Sequence, residues 1–385
     1  MIYEVAILGA GASGMMCATI LNNTTTAIIE TNDSQAKKVA ISGGGKCNIT
    51  NKFMTSSHFL GNSEFIKKAF DKFDEKELLK TLKDNNIEPI LNTKIVKGTY
   101  FCKSSKEILE FFSKNTSRCK KFFNHKVVSV EYSDEIFTIQ TNTTTISSKN
   151  LVIASGGLSY PSLGSSDIGF VIAKKFGHQI KTISPALVGF TVQKEQFWFK
   201  ELSGLSLDVR ITIKDKQIEG SLLFAHKGIS GPAVLSASLY WDRGQLSIDF
   251  LPHHNIKKLL NSKQTISNAL PLPKRFIVEF LKSINLEDKP LSSLSKDEIE
   301  ILSTIHKYSF APAGNFGYTK AEVTKGGVDT AYIDENMQST LQKGLYFIGE
   351  VLDVTGELGG YNIQWAISSG YICGQRIATS TSRSD

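Results

Sequence analysis

Cysteine is scarce in this 385-residue chain, and the five present (Cys17, Cys47, Cys102, Cys119 and Cys373) are odd in number, widely spaced and free of any C-x-x-C pair. That pattern excludes a disulfide framework, argues against a zinc site and fits a reducing cytoplasm. The seven histidines are as scattered, with His253-His254 the only adjacent pair, so no metal is expected. Long apolar runs are missing too: nothing approaches the ~18 consecutive residues of a membrane span. The uncharged stretch Val5–Leu21 has Glu4 in place of a basic flank and three interrupting glycines, which excludes a secretory signal. Gly-x-Ser-x-Gly is absent, leaving a nucleophile-elbow hydrolase without support.

What is there is a globular composition, 41% hydrophobic and 21% charged, with 30 glycines and 9 prolines. At about 150 residues per domain the length predicts two to three domains and a core that needs no staple. The net charge of +7 is concentrated: residues 51–200 hold 22 basic and 14 acidic side chains, leaving the remainder close to neutral. This bias is compatible with a phosphate-rich partner, although a solvated basic face gives the same count.

The chain opens with a strand pattern, Tyr3–Leu8, then Gly9-Ala10-Gly11-Ala12-Ser13-Gly14, then a small-residue helical stretch Met15–Asn22. Strand, glycine turn and helix in that order form a dinucleotide-binding fingerprint of Rossmann type. Gly9 permits the turn, Gly11 lets backbone approach a pyrophosphate, and Gly14 brings helix to strand. A second strand, Thr26–Ile29, ends in Glu30, where a carboxylate accepts ribose hydroxyls and disfavours a 2′-phosphate. The fingerprint does not by itself decide between NAD and FAD.

A second cluster, Lys37-Lys38 through Ser42-Gly43-Gly44-Gly45-Lys46-Cys47-Asn48-Ile49-Thr50-Asn51, occupies the place of the next crossover helix in a nicotinamide-only domain. Three adjacent glycines suit a loop lying against a flat ligand, with N–H groups forming an anion nest and Lys38 and Lys46 available to negative charge. A thiol at Cys47 near Lys46 has the chemistry of a proton donor; it reads equally as a small residue packed beneath a cofactor, and Tyr160 and Tyr361 compete for the role. The chain then reads as helical from about 58 to 115, period-two over Val127–Tyr132, Ile136–Thr141 and Leu151–Ala154, and helical again at Ile168–Phe176. Alternating segments such as Asp208–Ile213 and Gln245–Phe250 suggest an antiparallel barrel that resumes at Tyr318–Val323, and residues 255–308 a lysine-rich helical appendage. Leu345–Ile348 returns as a Rossmann strand ending in Gly349-Glu350. The helix Ile363–Ile377 then begins after Gly359-Gly360-Tyr361-Asn362, its dipole able to stabilise negative charge on a reduced cofactor.

SGGGKCNITN resembles the S-G-G-G-R-C-N-x-T-N signature of the flavoprotein family often called BaiN/RdsA, with Lys46 in place of the usual Arg. Three further blocks match in order: Ala154-Ser-Gly156-Gly157-Leu-Ser-Tyr160-Pro161, Phe224-Ala-His226 through Ala233, and Gly349-Glu350-Val-Leu-Asp353 through Gln364. The resemblance implies an α/β fold: a Rossmann-type FAD-binding domain over 1–186 and 331–385, an inserted antiparallel β-barrel-like domain over 187–254 and 309–330, and a helical subdomain over 255–308. It implies FAD held by Gly9, Ala10, Gly11, Ser13, Gly14, Glu30, Lys38, Ser42 to Asn48, Gly156, Gly157, Gly349, Glu350, Asp353, Gly360, Tyr361 and Asn362. Enzymes of this build commonly hold adenine on backbone such as that around Val128. Members include a bacterial dihydrouridine synthase acting on large-subunit ribosomal RNA and enzymes reducing C=C bonds of oxidised bile-acid intermediates. The expectation is an NAD(P)H-linked FAD oxidoreductase. Because no second G-x-G-x-x-G follows Gly14, the nicotinamide donor is expected to bind only transiently. The first expected substrate is a uridine of ribosomal RNA bound through basic surface in 51–200 and 255–308; a small-molecule ene-reductase or oxidase and a non-catalytic redox sensor are the alternatives.

Overall fold

The computed structural model describes residues 1–21, 24–93 and 96–381. Two compact units divide the chain, Met1–Pro185 with Ala321–Asp385, and Ala186–Lys320.

In the first unit the run Val5-Ala6-Ile7-Leu8 is buried throughout, as a parallel strand covered on both faces requires. Its strand, Ile2–Leu8, pairs in parallel with Thr26–Ile29 on one side and Thr145–Ile153 on the other. Lys120–Phe122 and Leu345–Phe347 extend the parallel set. The first half of Thr145–Ile153 pairs antiparallel with Ile136–Thr141, which pairs with Val127–Ser133, giving the ribbon read from the period-two segments. Four parallel strands run at their carboxyl ends into the motifs singled out above: Leu8 into Gly9, Ile29 into Glu30, Ile153 into Ala154–Tyr160, and Phe347 into Gly349-Glu350. That edge is where open α/β sheets bind ligands.

The first helix, Ala12–Ile20, packs on the final helix, Tyr361–Thr381, through glycines: a side chain at Gly370 would collide with the Ser13 carbonyl, and one at Gly374 with Ile20. The final helix begins two residues before the expected Ile363, and Asn22, the expected end of the first helix, lies outside the described residues. Between 58 and 115 the helices Ser63–Lys72, Glu75–Asp84 and Ser105–Asn115 are present, but a small sheet intervenes, in which Thr99–Phe101 pairs with both Asn48–Asn51 and Ile90–Leu91. Strands of two to four residues carry too little periodicity to be read from sequence.

The second unit is an antiparallel sheet in the order Tyr308–Phe310, Leu246–Asp249, Ser206–Ile213, Lys216–Ala225, Gly228–Ser230, Phe190–Thr191, Gly314–Asn315. Alternation is strict where predicted: Leu207, Val209, Ile211 and Ile213 are buried, and their neighbours face outward or lie at the margin. Three expectations are corrected. The sheet is open, not a closed barrel, with no ladder joining its two end strands among the described residues. The helices of 255–308 have no separate core, since the Phe276 ring lies 4.9 Å from Phe250 and 6.1 Å from Phe224 of the sheet. Residues 318–320 form a turn rather than a strand, and the chain rejoins the first unit at Ala321 instead of 331, because Val323–Val328 pairs with the strand that begins at Ile180.

Candidate dinucleotide and redox site

The first glycine turn separates packing from access. A methyl group at Gly9 would collide with the Ala154 carbonyl and one at Gly14 with the Gly9 carbonyl, whereas one at Gly11 would meet nothing within 4 Å. Gly11 also stands at the start of Ala12–Ile20 with no side chain capping it, so the first N–H groups of that helix have no side-chain acceptor at the cap. Glu30 is fixed by three hydrogen bonds: Oε2 accepts from Ala10 N at 2.8 Å, and Oε1 accepts from Asn32 N and Nδ2, each at 2.8 Å. Of a carboxylate's roughly four acceptor sites these leave about one for a ligand hydroxyl. His125 N donates to Glu30 O at 2.9 Å, which brings the chain leading to Val128 past the acid; Val128 itself is exposed and sits in a β-bulge.

The second cluster is not wholly a loop. Helical backbone from Lys37 breaks at Ser42 (ψ 145°) into a left-handed run, Gly43 at φ 58° and Gly44 at φ 65° with Gly45 at 85°, before the strand Asn48–Asn51. Consecutive left-handed residues strain most side chains and suit glycine best, and such a run is the kind of backbone that forms anion nests. Gly43 is backed by Asn48 Oδ1, while Gly44 and Gly45 face open space. The strand packs on the last motif: Asn51 Nδ2 donates to Gly359 O at 2.9 Å, and a side chain at Gly360 would collide with the Thr50 carbonyl.

Four polar segments meet at Thr324, a residue the sequence reading missed because it fell in the stretch assigned to the barrel. Its hydroxyl accepts from Leu158 N at 2.7 Å and Ser159 N at 3.2 Å, and its N–H donates to Glu350 Oε1 at 2.8 Å. Glu350 Oε2 pairs with Lys38 Nζ at 2.7 Å. Gly157 lies under Thr324 and Glu350, and Gly156, at φ 71°, opens onto empty space. Ser13 is buried with its hydroxyl against Gly349, whose N–H donates to Ser369 Oγ at 2.9 Å.

Several expected contacts are reassigned. Lys38 is paired with Glu350 and is therefore not a bare cation, whereas Lys46 is exposed, with its ammonium 5.4 Å from the Phe101 ring centroid. Asp353 is half-buried, and burial followed by the neighbouring Asp329 raises its carboxyl, with Lys181 opposing; its charged neighbours are thus not the glycine loops. Asn362 clamps its own turn, accepting from Gly356 N and donating to Gly356 O, both at 2.8 Å. Tyr361 is buried and stacked on His58 at 4.8 Å. Cys47 is fully buried, and the hydrogen bond with Cys102, not Lys46, is what lowers its thiol, with burial opposing and Ser42 assisting. A thiol with no exposed surface is not presented to a substrate carbon.

The residues present fit a flavin dinucleotide. At Gly11, Gly44, Gly45 and Gly156 a side chain would meet nothing within 4 Å, which leaves backbone open to a flat ligand, and the buried Thr50 hydroxyl beneath Gly360 has no partner among the described residues. Fold and site together define a flavoprotein oxidoreductase built on a Rossmann-type domain.

The chain belongs to the family described as "HI0933-like protein Rossmann domain", which matches residues 3–376. It is 38% identical to the "Ribosomal RNA dihydrouridine synthase" of Haemophilus influenzae, over 97% of this chain and 98% of that protein. It is 27% identical to the "3-dehydro-bile acid delta(4,6)-reductase" of Clostridium scindens, over 97% and 99%. Among solved structures, the 3-ketosteroid-delta4-(5alpha)-dehydrogenase of Rhodococcus jostii superposes with a TM-score of 0.55 at 10% identity, over 98% of this chain and 96% of that one, a likeness of fold.

Proposed function

We propose that this protein reduces the C5=C6 bond of a uridine in large-subunit ribosomal RNA, with FAD held non-covalently along the glycine loops and NAD(P)H as the electron source. The observation that carries the substrate is the near-full-length identity of 38% to a ribosomal RNA dihydrouridine synthase, against 27% to a bile-acid reductase. The cradle supports the cofactor: Gly11 and the start of Ala12–Ile20 would hold the pyrophosphate, Glu30 a ribose, and Gly44, Gly45 and Gly156 the ring system. When bound, the reduced flavin supplies hydride to one carbon of the double bond. The chain holds the nest helix against the strand ends through Lys38 and Glu350, and it must supply a proton to the second carbon. The absence of a second dinucleotide fingerprint supports a nicotinamide donor that binds transiently. A cytoplasmic location goes with this reading; no helix among the described residues is long and apolar enough to cross a membrane.

The RNA is recognised through the basic surface of residues 51–200, where Lys67, Lys68 and Lys120 are exposed. Lys121 is half-buried and donates to Gln35 Oε1 at 3.0 Å, so it contributes less. The test is mass spectrometry of ribosomal RNA after incubation with the reduced enzyme: a gain of two mass units on one uridine is expected, and binding should weaken with salt by a slope of about 0.9 per phosphate contact. Neutralising Lys67, Lys68 and Lys120 should flatten that slope while flavin content stays constant. RNA of unchanged mass, together with turnover of a small enone, would move the substrate to the small-molecule class of the bile-acid relative.

A further inference from the structure

The reduction needs a positioned acid, and three were legible in the sequence: Cys47, Tyr361 and Tyr160. Burial separates them. Cys47 is 0% and Tyr361 4% exposed, while Tyr160 is half-buried and keeps exposed surface, four residues beyond the open Gly156. Tyr160 is also held in left-handed backbone, φ 58° and ψ 64°, a conformation that strains a bulky residue and persists where its surroundings impose it. The imposing contacts are hydrogen bonds on either side: Leu158 N and Ser159 N are tied to the Thr324 hydroxyl, and Leu163 N donates to Tyr160 O at 2.8 Å.

The same tie places Glu322 beside the ring. The Tyr160 hydroxyl donates to Glu322 Oε1 at 3.4 Å, and Lys38 Nζ lies 6.0 Å from the ring centroid. Glu322 is a half-buried carboxyl. Burial raises it toward the protonated form, Lys38 and the Tyr160 hydroxyl act the other way, and Glu350 raises it further. Burial and then the Glu322 charge raise the Tyr160 phenol, so it does not ionise to solvent before it is needed.

We propose that Tyr160 is the catalytic proton donor of the reduction and Glu322 the positioning residue that restores its proton, an inference that rests on the reading of the site as a flavin-dependent C=C reductase. Hydride reaches the carbon remote from the carbonyl, and the Tyr160 O–H bond breaks as a C–H bond forms on the carbon next to it. The phenolate takes a proton from the Glu322 carboxyl, which recovers one from water, so each turnover adds one hydride and one solvent proton across the double bond.

The test uses flavin-loaded protein reduced with dithionite without air, then mixed with ribosomal RNA from cells lacking the modification, following flavin reoxidation by absorbance and the product by mass. Tyr160→Phe should carry flavin with an unchanged spectrum and reoxidise about 10²–10⁴-fold more slowly. Glu322→Gln should be roughly tenfold slower and lose the dependence on pH that its carboxyl confers. Difference infrared spectroscopy of the oxidised protein gives a readout apart from turnover: a carboxyl band that disappears in Glu322→Gln should titrate above the ordinary carboxylate range, and higher still in Tyr160→Phe, where its hydrogen bond is lost. If the unmutated enzyme is never reoxidised by RNA, the substrate reading fails, and the same variants are compared on cyclohexenone. Reoxidation of Tyr160→Phe within threefold of the unmutated rate on whichever acceptor works, or a Glu322 band that titrates in the ordinary range, overturns the assignment.

Discussion

In the turn Gly9–Gly14 two of the three fingerprint glycines are walled in by protein, Gly9 by the Ala154 carbonyl and Gly14 by the carbonyl of Gly9, and only Gly11 faces open space. In the run Gly43–Gly45 the proportions reverse: Gly43 alone is backed, by Asn48, and Gly44 and Gly45 face outward from left-handed backbone. The first loop uses the missing Cβ chiefly to bring backbone against backbone. The second uses it to adopt a conformation other residues resist and to leave room for a ligand. One residue type thus serves folding in one loop and binding in the other, and substitution separates the two.

The largest effect is expected at Gly14. Gly14→Ala places a methyl group on the Gly9 carbonyl, which neither strand nor helix can yield without disturbing the other, so a loss of about 3 kcal/mol or more in apoprotein stability is expected. Gly11→Ala meets no atom and keeps an extended backbone (φ −76°, ψ −171°), so the apoprotein should melt within a few degrees of the unmutated one while FAD affinity falls. Thermal unfolding with and without added FAD measures both. Equal melting temperatures for the two apoproteins would erase the distinction drawn within the first loop.

Glu30 sharpens the comparison, because it serves both purposes at once. Glu30→Ala removes a charge-assisted hydrogen bond to a ribose, about 1.5–3 kcal/mol of binding, and also leaves Ala10 N without its acceptor, about 1 kcal/mol of folding. Isothermal titration with FAD and denaturant unfolding of the apoprotein should show both losses. A binding loss with no change in unfolding would make the Ala10 contact energetically idle.

The first loop was legible residue by residue, since strand, glycine spacing and terminal acid are all local and follow from short-range geometry. The four-strand edge was legible for the same reason. What escaped was the second loop's surroundings. Asn48–Asn51 read as loop because its partner strand Thr99–Phe101 is distant in sequence and only three residues long. Thr324 and Glu322 were hidden by a misplaced unit boundary: Val323–Val328 is a short glycine-containing strand, and only its pairing with the strand starting at Ile180 assigns it to the first unit. The acid candidates were visible as residue types, but burial, which no spacing encodes, is what separates Tyr160 from Cys47 and Tyr361.

The smallest effect is expected at Cys47, next to the glycines that face the ligand. Its thiol lies beneath the run, fully buried, with Cys102 and Ser42 as partners. Cys47→Ser keeps a group of similar size that can bond to the same neighbours, so a loss of about 1 kcal/mol is expected, from placing a more polar atom in that pocket. Flavin content and the rate of reoxidation by substrate should stay within about twofold. Alkylation of native protein by iodoacetamide should likewise spare Cys47 until the chain unfolds, because the attacking thiolate has no exposed surface. A loss of 10² or more in rate with flavin retained would return the proton to the thiol, reverse the order of Tyr160 and Cys47, and mean that the second loop presents chemistry as well as shape.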